Sequence, residues 1–266
     1  MLRGRAGKLG TYNPKRTTRM SHDLAFRTAL AALLGLVAAG GNVLGGYFVV
    51  RREWQRKYLQ YFLALGAGYM ISVAFVEVIP ESVKLAGENA LVFVLIGFFL
   101  IHLFEHTIAP HFHFGEETHT EEMHGQHPRR TVLLGLAIHT FFDGVAIAAG
   151  FLVSNWLGLM IFVAVFLHKL PEGFTVASVV LASGQGKRDA IAAAGLLGAA
   201  TLSGVLLTSQ FQEQLRYALP LSGGVTVYVA ATDLLPEVNR EPNWRMALLV
   251  FLGVATLLIL RALFKF

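Results

Sequence analysis

The stretch TVLLGLAIHTFFDGVAIAAGFLV, Thr131–Val153, is apolar except for two threonines, a histidine and an aspartate. A helix needs about 20 such residues to cross the hydrocarbon core of a bilayer. After the short break at Ser154–Asn155 comes a second run, LGLMIFVAVFLHKLPEGFTVASVVLAS, Leu157–Ser183, again apolar around a small charged island. Working outward, six further runs of this kind lie near Leu24–Val50, Leu59–Pro80, Ala90–Ala109, Asp189–Gln210, Leu219–Pro236 and Trp244–Leu263. In lipid each backbone polar group must be satisfied within its own segment, so these runs predict helices. The expectation is an all-α integral membrane protein with eight transmembrane helices, numbered here as spans one to eight. Residues 24–266 then form one transmembrane domain, preceded by a basic tail at 1–23.

Composition agrees. Only 15% of the 266 residues are charged, against roughly 25% in soluble domains, and the short connections leave no room for a soluble domain. Small residues crowd several spans, as in Ala190–Gly204, which lets helix backbones approach closely. The chain has no cysteine, so thiolate ligands and disulfides are excluded. The formal charge of +5 does not point to nucleic acid, because the basic residues flank the spans as juxtamembrane anchors.

Those residues also predict orientation. The loops after spans one, three, five and seven carry Arg51, Arg52, Arg56, Lys57, Arg129, Arg130, Lys187, Arg188, Arg240 and Arg245, against Lys84, Arg216, Arg261 and Lys265 on the other side. The richer side is expected in the cytoplasm, with both termini outside. Six basic residues between Arg3 and Arg19 run against this, which fits a translation start at Met20.

Two internal repeats appear when the chain is slid against itself. Gly68, Ala74, Glu77, Pro80 and Glu81 fall on Gly224, Ala230, Asp233, Pro236 and Glu237, so VEVIPE in span two echoes TDLLPE in span seven. His139, Asp143 and Gly144 fall on His168, Glu172 and Gly173, pairing span four with span five. In each pair the spans cross in opposite directions, the mark of the inverted-topology repeats common in secondary transporters. Chance similarity between apolar helices is the competing account, and the matched Pro and acidic positions weigh against it.

Spans four and five hold the chemistry. His139 and Asp143 stand four residues apart and share one helix face, as do His168 and Glu172. Imidazole nitrogen with carboxylate oxygen suits borderline divalent ions such as Zn²⁺, Fe²⁺ and Mn²⁺. Two helices that each present such a pair can build a four-ligand site in a bundle core. Pro171 frees the carbonyl of Leu167 beside His168. An ionisable side chain at mid-bilayer costs roughly 2.5–3.5 kcal/mol on insertion scales, so Asp143, Lys169 and Glu172 together would cost on the order of 8–10 kcal/mol if unpaired. A bound metal offsets this. So would a structural ion pair of Lys169 with Asp143 or Glu172, although that account leaves the duplicated histidines without a role.

HTFFDG (His139–Gly144) and HKLPEG (His168–Gly173), in consecutive spans, resemble the paired motifs of the ZIP family of metal transporters, the Zrt- and Irt-like proteins. The likeness is to the compact prokaryotic type and extends from span one to span eight. It implies a 3+2+3 inverted-repeat bundle that moves zinc, iron, manganese or cadmium into the cytoplasm across a bacterial inner membrane. It implies a transport site at His139, Asp143, His168 and Glu172, and a thioether from Met70. The metal is then the transported substrate, with no further cofactor, and a homodimer is implied. The sequence departs from the family pattern at Thr140, where Asn is usual, at Lys169, where a metal-binding group is frequent, and in span six, whose apolar core has no acidic residue. These departures argue against a second core ion, with Thr140 and Lys169 tuning the single site.

Outside the core, Glu77 and Asp233 near span ends read equally as guides for an ion or as residues solvated at the interface. The segment 110–130 contains His111, His113, His119, His124 and His127 among several glutamates. Such a tract can capture metal loosely, and it is expected to face the cytoplasm. His102, Glu105 and His106 near the end of span three read equally as buried hydrogen-bonding groups or ligands. Two other functional classes are open: a structural or sensor membrane protein whose ions stay in the His-rich segment 110–130, and an intramembrane zinc hydrolase, which needs three protein ligands and an open water position. The sequence has no HExxH motif, and its repeats suit alternating access better.

Overall fold

A computed structural model describes residues 14–51, 56–107, 126–240 and 243–264. They are helical nearly throughout and contain eight segments long and apolar enough to cross a membrane: His22–Arg51, Tyr58–Ala86, Asn89–Thr107, Leu133–Val153, Asn155–Ala182, Lys187–Gln210, Gln212–Asn239 and Trp244–Phe264. These are spans one to eight. Two helices run beyond their apolar stretch. Span one belongs to a helix that starts at Pro14 and span four to one that starts at Gln126, so part of the 1–23 tail and of the 110–130 segment is helical. Apolar length sets what lipid can cover, not where helical hydrogen bonding stops. Proline near a helix start, as at Pro14 and Pro128, is well tolerated because the N–H it lacks has no partner there.

Spans two and seven each contain a π-helical turn, at Ala74–Val78 and Val229–Leu234. In both, the residue before a proline bonds five residues back: Ile79 N–H to the Ala74 carbonyl, and Leu235 N–H to the Ala230 carbonyl. Pro80 and Pro236 lack an N–H and crowd the carbonyl four residues back; widening the turn relieves that contact. Glu77 and Asp233 sit inside these turns, a feature frequent at functional sites.

Spans one, four, five and six pack on one another, as do two, three, seven and eight; the groups meet where span two packs on five and span four on seven. The main pairings (one with five, four with six, two with eight, three with seven) are unchanged when one is exchanged with six, two with seven, three with eight and four with five. The exchange holds at single residues. A Cβ at Gly68 would strike the Val250 carbonyl and one at Gly224 the Val94 carbonyl. One at Gly97 would strike that of Leu221, and one at Gly253 that of Leu65. Gly35 abuts Val205 just as Gly46 abuts Ala194. This last relation, between spans one and six, is hidden in the sequence by alanine and glycine.

Spans three and eight form the rim, with only 17% and 11% of their apolar windows buried, against 67% for spans four, five and seven. Leu95, Phe99, Phe251, Ile259 and other large side chains lie exposed along them, the surface expected of helices that face hydrocarbon.

Candidate metal site

Spans four and five run side by side and bring their charged islands together. His139, Thr140, Asp143, His168, Lys169 and Glu172 are all buried. One donor atom from each of His139, Asp143, His168 and Glu172 can be chosen so that all four lie within 4.8 Å of one another. Close backbone approach makes this layer compact: a Cβ at Gly144 would run into the Thr201 carbonyl of span six, and one at Gly173 into the Asn42 carbonyl of span one. The glycine one residue after each carboxylate therefore lets a neighbouring span lie directly against the site.

Asp143 is the hub. Its Oδ2 lies 3.3 Å from His139 Nε2, 3.2 Å from His168 Nε2 and 2.6 Å from Lys169 Nζ. The Lys169 ammonium also donates to Glu172 Oε2 at 2.5 Å, and the Thr140 hydroxyl donates to Glu172 Oε1. Thus each residue that follows a motif histidine reaches the carboxylate of the other span. Lys169 does not snorkel towards an interface; it is fully buried and bridges both carboxylates.

The histidines are set up to bind a cation. His168 Nδ1 lies 3.0 Å from the Ala164 carbonyl, which can only accept, so Nδ1 carries the proton. Nε2 then lies 3.2 Å from Asp143 Oδ2 and points into the cluster, a backbone-fixed ring of the kind seen behind metal-bound imidazoles. His139 Nε2 is buried without a hydrogen-bond partner. Its 3.3 Å approach to Asp143 is a proximity and not a bond. Two imidazole nitrogens and two carboxylates converging on one point make a nitrogen–oxygen set suited to a borderline divalent ion. The Leu167 carbonyl freed by Pro171 lies beside Gly66 of span two.

The ZIP zinc transporter family model matches residues 116–261, which include both motifs and all four donors. The chain belongs to the ZIP zinc transporter family. It is 26% identical to zinc transporter ZIP9-B of Xenopus laevis over 261 residues, covering 78% of this chain and 84% of that protein. It is 31% identical over 144 residues to the zinc transporter ZIP13 homolog of Drosophila melanogaster, covering 50% of this chain and 41% of the relative. Human zinc transporter ZIP4 is 33% identical over 143 residues, with 50% of this chain and 22% of the relative covered. The chain therefore spans less than half the length of the fly and human relatives. Members of the ZIP family are transporters and not enzymes, so the hydrolase reading is set aside.

Of the other residues singled out in this ZIP chain, Met70 is fully buried in span two, which packs on span five. Asp233 and Glu77 are not simply solvated: Asp233 is buried, and Glu77 Oε1 is buried without a hydrogen-bond partner. Asp233 Oδ1 accepts from the Thr232 hydroxyl, and Glu105 Oε2 accepts from the Tyr228 hydroxyl at 2.7 Å. His106 Nδ1 lies 2.8 Å from the His102 carbonyl. His111, His113, His119 and His124 fall outside the described residues, and His127 lies in the first turn of its helix with its side chain undescribed. Sequence reading did not single out Tyr228 and Thr232; hydroxyl residues in a span carry little signal until their partners are known.

Proposed function

We propose that the protein carries a divalent transition-metal ion, zinc in the first place with iron, manganese and cadmium as candidates, into the cytoplasm by alternating access. The ion is held by His139, Asp143, His168 and Glu172, with Met70 as a further ligand from span two. The observation that carries this reading is the convergence of four nitrogen and oxygen donors in a buried layer of a ZIP-family chain. The symmetric pairing of spans supports a 3+2+3 inverted-repeat bundle, a design in which the site lies at the repeat interface and is opened to each side in turn. The relatives' names specify zinc for those proteins, and the donor set here is compatible with it.

Lys169 gives the cycle its electrostatics. Two carboxylates and one ammonium leave a formal −1; a dication brings the site to +1. An arriving ion displaces the ammonium from Asp143 and Glu172, and the ammonium returns when the ion leaves, so neither state strands two bare carboxylates in a low dielectric. The same charge disfavours a second core ion. The histidines of segment 110–130 act as a loose capture or release tract on the cytoplasmic side, and the protein assembles as a homodimer in a bacterial inner membrane.

Uptake by proteoliposomes offered zinc, cadmium, iron and manganese in turn tests the reading. Accumulation of at least one, retained when the loop histidines are replaced together, is expected; no accumulation of any would end it. Orientation is tested by single cysteines at Thr118 and Ser154 in this cysteine-free chain. An impermeant thiol reagent applied to intact cells should label Ser154 and spare Thr118, and the reverse pattern would invert the topology.

A further inference from the structure

The repeat that relates spans two and three to spans seven and eight also relates two pairs of charged positions. Glu77 corresponds to Asp233, and Glu105 corresponds to Arg261, at the same spacing as Gly68 to Gly224. In one half the two positions carry opposite charges: Arg261 Nε lies 3.7 Å from Glu77 Oε1. In the other, Glu105 and Asp233, they carry like charges. Both accept hydrogen bonds from hydroxyls, Glu105 from Tyr228 and Asp233 from Thr232. Equivalent places in an inverted repeat thus hold a guanidinium on one side of the membrane and a carboxylate on the other.

Both carboxylates sit in π-helical turns of spans that pack on the two carrying the transport site, span two on five and span seven on four. The Tyr69 hydroxyl of span two lies 3.1 Å from Met160 Sδ of span five. Glu77 Oε1 makes no hydrogen bond, so its contact with Arg261 is a charge pairing that an incoming cation can replace without breaking a directed bond.

We propose that Arg261 is a tethered cation that closes the entry side of the route by pairing with Glu77, so that a metal ion arriving from outside must displace its guanidinium. The arrangement repeats at the approach what Lys169 does at the core. It rests on the transport reading above and on its orientation, which puts the end of span eight outside. Arg261 is a positioning residue in this account: it sets how readily Glu77 accepts the ion and does not ligate it.

The test is initial zinc uptake by intact cells as a function of zinc concentration, with uptake into inside-out vesicles as the measure of the opposite face. Arg261→Gln should lower the half-saturating concentration in cells about fivefold, the upper range for a partly exposed ion pair, and leave the vesicle value unchanged. Glu77→Gln should raise it in cells, because the guanidinium is then unpaired and repels the ion, and Arg261→Lys should stay near the parent. A purely structural role would not shift the two neutral variants in opposite directions. A value within twofold of the parent for Arg261→Gln, or equal shifts from both faces, overturns the proposal while the transport reading stands. A parent that takes up no metal overturns both.

Discussion

Spans four and five are built on one frame and differ at one decisive position. Each places a histidine, a carboxylate four residues later and a glycine directly after it, and in each the glycine lets a neighbouring span press its backbone against the site. The position after the histidine is Thr140 in one span and Lys169 in the other. The threonine contributes one hydroxyl bond to Glu172, while the lysine contributes a full charge to Asp143 and Glu172 together. The repeated pattern therefore supplies the candidate ligands, and the position where it departs from symmetry supplies the counter-charge. A site with threonine at both positions would hold two buried carboxylates with no permanent cation, a costly state whenever the metal is absent.

The largest effects should come from the shared frame. Alanine at His139, Asp143, His168 or Glu172 should each reduce uptake by at least tenfold while leaving membrane insertion intact, since every one removes a donor from the same four-atom cluster. The comparison predicts that the two spans suffer alike. Near-normal uptake by both His139→Ala and Glu172→Ala would break it, because a donor from each span would then be dispensable.

Next in size is the position where the spans differ. Removing one partner of a buried ion pair typically costs about 3–5 kcal/mol, so Lys169→Ala should strongly destabilise the metal-free protein in detergent. Added zinc should restore much of that loss, because the ion replaces the missing charge. Metal content measured on loop-deleted protein sharpens the point: about one tightly held ion is expected in the parent, and a second becomes admissible in Lys169→Glu. Two core ions in the parent would show that the lysine does not stand in for a metal.

These experiments rest on features of unequal visibility in the sequence. The eight spans were legible because lipid imposes a length of apolar chain that few other structures require. The four donors were legible because their i, i+4 spacing puts each pair on one face and because charge inside a span is rare. The π-helical turns were not: Pro80 and Pro236 announce a disturbed helix, but whether it kinks or widens depends on tertiary packing, here of spans two and seven on each other's turns. The correspondence of span one with span six was hidden as well. Its residues are small and interchangeable, and Asn42 matches Thr201 only once both carbonyls are seen facing a motif glycine. Lys169 was legible as an anomaly, but pairing and snorkelling were both compatible with the sequence. Only the distances of 2.6 and 2.5 Å decide between them.

The smallest expected effect belongs to Thr140. Its hydroxyl donates to Glu172 Oε1, while Lys169 holds Oε2 of the same carboxylate, so the group is fixed at both oxygens before the metal arrives. Thr140→Val keeps the shape and removes the donor. Glu172 would then still be paired with Lys169, and the loss should be near that of one ordinary hydrogen bond, about 1 kcal/mol or roughly fivefold. It should appear as a rise in the half-saturating zinc concentration, because the freed oxygen must be oriented when the ion binds, with the maximal rate little changed. Thr140→Ser restores the donor and should return the parent value. If Thr140→Val instead abolished uptake as completely as Glu172→Ala, the threonine would be as necessary as a ligand. The division drawn here between a shared binding frame and a tuning position would then fail for span four. A shift confined to the half-saturating concentration, reversed by serine and dwarfed by the Lys169→Ala effect, is what the geometry requires: one span tunes with a hydroxyl what the other governs with a charge.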